Sequence, residues 1–335
     1  MRRALELATL GAGKVSPNPM VGCVVVHQDK VIGEGWHQQY GGPHAEVHAI
    51  RAVADAALLP ESTLYVSLEP CAHFGKTPPC ADLIIANQIK KVVVCNLDPN
   101  PLVAGAGLAR LKAAGIETID GILAEEGRKL NHRFFTFMEQ KRPYIILKWA
   151  ETADGFIARK NYDSKWISNT LSRKMVHRWR AEEDAILVGT NTAKLDNPQL
   201  NVRDWSGRNP VRLVIDRHLR LSPALSLFDQ KQETICYNLI KDENTGKVTF
   251  VKLGLEGFIE QMVTDLFRRQ IASVIVEGGT TLLREFLKLG LWDEARVFKS
   301  AVRFEEGIPA PQPAGTLEAS QKILDDSLYI YKNLR

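Results

Sequence analysis

Three residues, His44, Cys71 and Cys80, constrain this chain more than any others, because holding one metal ion requires three separate segments to converge on a point. One imidazole and two thiolates fill three corners of a tetrahedral zinc site and leave the fourth for water. Glu46 lies two residues past the histidine, close enough to reach that water without being a ligand. This is the set used by zinc-dependent deaminases, in which the activated water attacks an amidine-type ring carbon and a glutamate shuttles protons. A free cysteine is more often a small buried hydrophobe, and a lone histidine more often packs in a core. H-x-E followed by two Pro-Cys pairs in this order outweighs that ordinary reading. Eight residues, Ala72 to Pro79, separate the cysteines, where the common form has two. His48 makes the order H-x-E-x-H, which is neither zinc-protease order, so it is read as helix packing or pocket lining.

A length of 335 residues gives room for two domains, and 45% hydrophobic with 24% charged residues is an ordinary globular balance. The net charge of +4 carries no clustered basic-aromatic run, which argues against a nucleic-acid partner and leaves small anionic substrates open. Five cysteines, an odd number in a chain too long to need staples, argue for a reducing compartment rather than a disulfide framework. Glu6 interrupts the apolar start and Gly11 ends it, so no secretion signal forms. No stretch approaches the ~20 apolar residues of a membrane span. The expectation is a cytoplasmic protein.

Residues 2–10 have helical spacing, and a start so near the first residue leaves that helix uncapped, as though a few residues preceded it. Val21 to Val26 and Val31 to Gly35 read as strands joined by a turn at Asp29-Lys30. A helix is predicted over 44–57, with His44 and Glu46 in its first turn. Strands over 63–67, 91–95 and 116–119 alternate with helices over 80–88 and 108–114, and one further helix spans 122–139. Alternation of this kind implies an α/β sandwich with substantial parallel pairing. The metal-bearing segments then sit at helix N-termini, where backbone N–H groups favour thiolate over thiol.

Lys141-Arg142-Pro143 breaks the chain, and a second domain begins there, giving boundaries of 1–141 and 142–335. It reads as strands at 144–149, 185–188, 211–215, 234–237, 248–252, 272–276 and 293–299, with helices at 171–180, 256–269 and 280–289. Its strongest local feature is an apolar strand running into Glu277-Gly278-Gly279 and then a helix. Bare N–H groups there could receive a phosphate, although a Gly-Gly turn without the G-x-G-x-x-G spacing also serves purely conformational needs.

The run Pro17-Asn18-Pro19-x-Val21-Gly22, the helix start His44-Ala45-Glu46-Val47-His48-Ala49 and the segment Glu69-Pro70-Cys71-x-His73-x-Gly75-Lys76-Thr77-Pro78-Pro79-Cys80 together closely resemble the bifunctional riboflavin-biosynthesis deaminase–reductase family. Asp98-Pro99-Asn100-Pro101, Ser164-x-Trp166-Ile167-Ser168, Asp196-Asn197-Pro198-x-Leu200 and Glu277-Gly278-Gly279 are also similar to it. The resemblance implies a cytidine-deaminase-like α/β/α sandwich followed by a dihydrofolate-reductase-like α/β domain. It implies deamination of 2,5-diamino-6-(5-phosphoribosylamino)pyrimidin-4-one, then reduction of the ribosyl group to ribityl by NADPH. On the motif, His44, Cys71 and Cys80 would hold Zn2+ and Glu46 would be catalytic. Asn18, His73 and Lys76 would contact substrate in the first pocket. Lys148, Ser164, Arg180, Leu200, Arg203 and Glu277 would contact it in the second, the arginines gripping its phosphate. Ala150, Trp166, Thr192, Asp196, Gly278 and Gly279 would contact the nicotinamide cofactor, with Arg217 meeting its 2′-phosphate. The resemblance also implies a homo-oligomer, dimer or tetramer. Unusual residues between Lys148 and Asp154-Gly155 and the proline-rich 309–313 segment depart from the family pattern in the second half.

Two rival readings remain. A nucleic-acid or nucleoside deaminase with an unrelated C-terminal domain predicts a basic groove and steep salt dependence. A zinc-stabilised binding protein predicts a fourth protein ligand and has no use for Glu46.

Overall fold

The computed structural model describes residues 1–74, 78–100, 104–163 and 167–333. The chain divides into two compact units, Met1–Lys141 and Arg142–Arg335.

In the first unit, helix α1 (Arg2–Thr9) precedes strands β1 (Gly22–His27) and β2 (Lys30–Trp36). The hairpin turns at Gln28 and Asp29, both at positive φ, and not at Asp29-Lys30. Helix α2 (Ala45–Arg51), β3 (Thr63–Leu68), α3 (Cys80–Ala86), β4 (Lys91–Asn96), α4 (Ala106–Ala113) and β5 (Glu117–Ile119) follow, then α5 (Ala124–Leu130) and α6 (His132–Gln140). The sheet order is β2-β1-β3-β4-β5, with β3, β4 and β5 parallel and the β1 pairings antiparallel. Side chains alternate across a strand, and the core follows that period. Cys23 and Val25 face Ala45, Ala49, Ala81, Ile84 and Leu111, while Val24 faces Ala4 and Leu7 of α1. Helices therefore cover both faces.

Two expected helices are shorter than their spacing suggests. The 44–57 segment stops at Arg51 because Asp55 turns back to accept the Ala57 N–H at 3.0 Å and starts a 3-10 turn. The 122–139 segment is two helices. At the break, the buried Asn131 side chain accepts the Met20 N–H at 2.8 Å and donates to the Met20 carbonyl at 2.9 Å. That paired bond ties the break to the segment preceding β1.

The second unit opens with β6 (Tyr144–Glu151), β7 (Phe156–Ala158), α7 (Thr170–Glu182), β8 (Ala185–Gly189), α8 (Thr190–Asp196) and β9 (Val211–Ile215). Next come β10 (Thr234–Asn238), β11 (Glu243–Thr245), β12 (Val248–Lys252), α9 (Phe258–Arg268), β13 (Ser273–Val276), α10 (Thr280–Leu289) and β14 (Glu294–Lys299). The chain ends with β15 (Ile308–Pro309), β16 (Thr316–Ile323) and β17 (Asp326–Lys332). Ten strands form one sheet in the order β11-β12-β10-β9-β8-β13-β6-β14-β17-β16, parallel from β12 through β14. Ile145 and Leu147 of β6 pack under α9 and α10, and Tyr144 and Ile146 pack toward α7. Helix α8 and the closing hairpin were not expected. Strand β16 is exposed along almost its whole length, so it lacks the apolar alternation that marks a half-buried strand.

Candidate active sites

His44 is the N-cap of α2, with extended backbone, rather than a residue of its first turn. Its Nδ1 lies 3.6 Å from Cys71 Sγ and 3.3 Å from Cys80 Sγ. A tetrahedral zinc with Zn–S of ~2.3 Å and Zn–N of ~2.0 Å requires an N···S separation of about 3.5 Å, so these donors fit that ion. All three ligand atoms lie within 4.8 Å of one another. Cys71 follows β3, and Cys80 opens α3 and donates its backbone N–H to Cys71 Sγ at 3.3 Å. The hydrogen bond from the Cys80 thiol, then those from His44 and the Cys80 N–H, draw the Cys71 thiol well below the ordinary range against the opposing effect of burial. Glu46 is 3% exposed, and burial pushes its carboxyl above the ordinary range while the His44 charge opposes that.

The glutamate of Glu69-Pro70-Cys71 has a structural task. Buried Glu69 accepts the N–H groups of Asp98 (3.2 Å) and Gly105 (2.9 Å) on one oxygen and that of Leu108 (3.2 Å) on the other. It thereby holds the segment after β4 and the start of α4 beside the cysteine segment. Gly107 must be glycine, since a Cβ there would lie 1.9 Å from the Pro70 carbonyl oxygen.

A cavity of about 260 Å³ opens over the metal donors. Asn18, His44, Glu46, Cys71 and His73 all line it, whereas Lys76 lies outside the described residues. Asp98 and Asn100, from the Asp98-Pro99-Asn100-Pro101 motif, also line it, as do His37, Phe134 and Met138, which were not singled out from sequence. His37 Nδ1 donates to the Pro43 carbonyl at 3.0 Å, which leaves Nε2 to accept from the Asn18 amide at 3.2 Å. Its ring meets His44 edge-on, with centroids 5.5 Å apart. Nothing local in the sequence marked His37. Burial pushes the Asp98 carboxyl up to about 6, with the Asn100 N–H opposing and Glu69 adding to it. His48 is absent from this wall. It packs where α2 crosses β2, a Cβ on Gly35 falling 2.6 Å from the His48 Cβ.

The second unit carries a cavity of about 1000 Å³ at the ends of β6, β8, β9 and β13, the carboxyl-end crevice where open α/β sheets bind ligands. Lys148, Ala150, Arg180, Thr192, Asp196, Arg203, Arg217, Glu277, Gly278 and Gly279 line it. Ser164 and Trp166 lie outside the described residues. Leu200 does not reach the cavity. Its side chain is buried in the core beside α7, and its carbonyl accepts the Gln232 amide at 3.3 Å. Arg180 lines the wall with its fork already filled: Nε and Nη2 donate to the two Glu277 oxygens at 2.8 and 2.7 Å. Burial alone would raise the Glu277 pKa, but the Arg180 charge and bonds, helped by Lys148, hold it at about 2. Burial lowers the Lys148 pKa, and Glu277 opposes that.

The N-terminus of α10 faces α8 closely. A Cβ on Gly279 would lie 3.1 Å from Thr192 Oγ1, and Gly278 has φ of 129°. This narrow, glycine-walled cleft at a helix N-terminus suits the phosphates of a dinucleotide. Arg217 sits past β9 on the same cavity, its guanidinium 4.8 Å above the Phe258 ring.

One unit thus has the metal donors and buried glutamate of a hydrolytic deaminase, and the other a dinucleotide-sized crevice. The class is a two-domain deaminase–reductase. Residues 1–96 match the cytidine and deoxycytidylate deaminase zinc-binding region, and residues 143–302 match the RibD C-terminal domain. The riboflavin biosynthesis protein RibD of Aquifex aeolicus is 42% identical, covering 92% of this chain and 88% of its own length. That of Escherichia coli is 37% identical, covering 100% and 95%. The crystal structure of a diaminohydroxyphosphoribosylaminopyrimidine deaminase/5-amino-6-(5-phosphoribosylamino)uracil reductase from Thermotoga maritima has a TM-score of 0.91 at 39% identity, covering 100% of this chain and 97% of that one. The chain belongs to the RibD family, the bifunctional deaminase–reductases of riboflavin biosynthesis.

Proposed function

We propose that the first unit hydrolyses the 2-amino group of 2,5-diamino-6-(5-phosphoribosylamino)pyrimidin-4-one, and that the second reduces the ribosyl chain of the resulting uracil to ribityl with NADPH. The convergence of His44, Cys71 and Cys80 beside buried Glu46 carries the first assignment. Those three residues would hold zinc, which when bound would supply an acidified water as nucleophile. Glu46 takes a proton from that water and delivers it to the departing amine, so that water and the C–NH2 group become a carbonyl and ammonia. Asn18, oriented by His37, and His73 face the substrate, and the family resemblance assigns its phosphate to Lys76.

In the second unit, NADPH when bound would supply the hydride. Thr192, Asp196, Ala150 and the Gly278-Gly279 cleft would hold the cofactor, with Arg217 for its 2′-phosphate; the family resemblance adds Trp166 to this set. Lys148 and Glu277 face the ribosyl chain, a role the family resemblance also gives Ser164, and Arg203 takes the substrate phosphate. Arg180 acts through Glu277, whose two oxygens it already holds. The substrate is a small molecule rather than a nucleic acid. The enzyme works as a cytoplasmic homo-oligomer, dimer or tetramer, a compartment that keeps its two ligating thiols reduced.

A coupled assay tests the whole reading. Ammonia release from the diaminopyrimidine must precede NADPH oxidation, and zinc must be present at one ion per chain. Ammonia release from cytidine or single-stranded nucleic acid instead of this substrate sinks it.

A further inference from the structure

Helix α7 turns Arg173, His177 and Arg180 toward the reductase cavity, a spacing of four and three residues that keeps them on one helical face. Each holds a different wall. Arg173 Nη1 donates to the Ser168 carbonyl at 2.5 Å, and Arg180 grips Glu277 at the end of β13. His177 is 3% exposed and faces the segment after Leu200. Its Nε2 lies 3.3 Å from the Asp204 carboxylate, and its Nδ1 lies 3.1 Å from the Asn201 carbonyl oxygen and 3.5 Å from the Arg203 backbone N. One imidazole therefore touches three of the four residues from 201 to 204. The Arg203 guanidinium is more than half exposed and, among the described residues, is held only by Asn201 Oδ1 at 3.4 Å and Asp204 at 3.8 Å.

We infer that His177 is a positioning residue: it pins residues 201–204 against α7 and so presents Arg203 at the cavity rim for the anionic end of the substrate. The inference rests on the assignment of Arg203 to the substrate phosphate. Burial, with the Arg180 and Arg203 charges, keeps the His177 ring below the ordinary histidine range, while Asp204 and Glu277 oppose that. The Asn201 carbonyl only accepts, so Nδ1 donates to it at 3.1 Å, while Nε2 meets the Asp204 carboxylate at 3.3 Å, a contact that becomes an ion pair when the ring is protonated. Arg203, with a long side chain on an irregular segment, gains its direction from this anchor. Losing it misplaces the cation without removing it.

The test compares kcat/KM for the phosphorylated reductase substrate with that for its 5′-dephosphorylated counterpart. Arg203→Ala should collapse the ratio. His177→Ala should lower it about tenfold, through KM for the phosphorylated substrate, with kcat changed less than about threefold. The Kd for NADPH and the melting temperature should stay near wild type. His177→Gln, whose amide reaches the former Nε2 position, should recover most of the ratio. If Arg203→Ala collapses the ratio and His177→Ala does not, the inference is wrong and the Arg203 assignment stands. A His177→Ala variant that loses NADPH affinity and thermal stability together with the ratio is merely structural, and also refutes it. If Arg203→Ala leaves the ratio intact, the Arg203 assignment fails and takes the inference with it.

Discussion

Replacing Glu277 by glutamine removes the carboxylate that Arg180 holds with two hydrogen bonds, and does so where the pair's side chains are only 12% and 8% exposed. Water cannot compensate there, and Arg180 and Lys148 are left as uncompensated charges. A carboxyl drawn from 4.5 to about 2 corresponds to about 3 kcal/mol of preferential stabilisation of its charged form. That agrees with the ~3–5 kcal/mol typical of breaking one side of a buried pair. In a domain the size of the second unit, ~3 kcal/mol lowers the melting temperature by roughly 6–12 °C. The sign follows from linkage. The folded-state pKa is depressed, so the contribution is fully present above pH 4.5 and fades as the pH falls toward about 2. Calorimetric melts of wild type and Glu277→Gln should therefore differ by that amount at pH 7 and converge below pH 4.5. A cycle with Arg180→Met should show strong coupling, the double variant being less destabilised than the two single changes added together. Equal melting temperatures at pH 7, or additive effects in the cycle, would refute the buried-pair argument.

Glu46→Gln should retain zinc by elemental analysis while ammonia release falls by about 10²–10⁴, as expected for loss of a general acid/base; release within tenfold of wild type would remove Glu46 from that role. Gly278→Ala places a side chain at φ of 129°, a region essentially restricted to glycine, at a cost of ~1–3 kcal/mol. Titration should show NADPH affinity weakened tenfold or more, with deamination retained. Glu69→Gln turns one accepting oxygen into an amide that opposes backbone N–H groups of Asp98, Gly105 or Leu108, and should destabilise the first unit by about 2–4 kcal/mol in denaturant unfolding.

Which of these residues could be recognised beforehand depends on whether a role is bound to residue type or to a distant partner. His44, Glu46, Cys71 and Cys80 were legible because zinc chemistry accepts few side chains, and short local spacing already places glutamate beside histidine. Strand–helix alternation was legible for the same kind of reason, since a short β-branched run such as Val21 to Val26 is a property of the segment itself. Several misses involve a contact made across the chain. Asn131 breaks a continuous helical pattern through a bond to Met20, 111 positions away. His37 joins the pocket wall through Asn18 and Pro43, and nothing around it in sequence announces this. Arg180 sharpens the point. Its type suggested a phosphate fork, and the family resemblance agreed, but a carboxylate 97 positions away occupies that fork. An arginine already paired on its Nε–Nη2 edge cannot offer the same edge to a phosphate. The exposed guanidinium of Arg203 can, whereas Arg180 and Glu277 stay buried and paired with each other in the cavity wall.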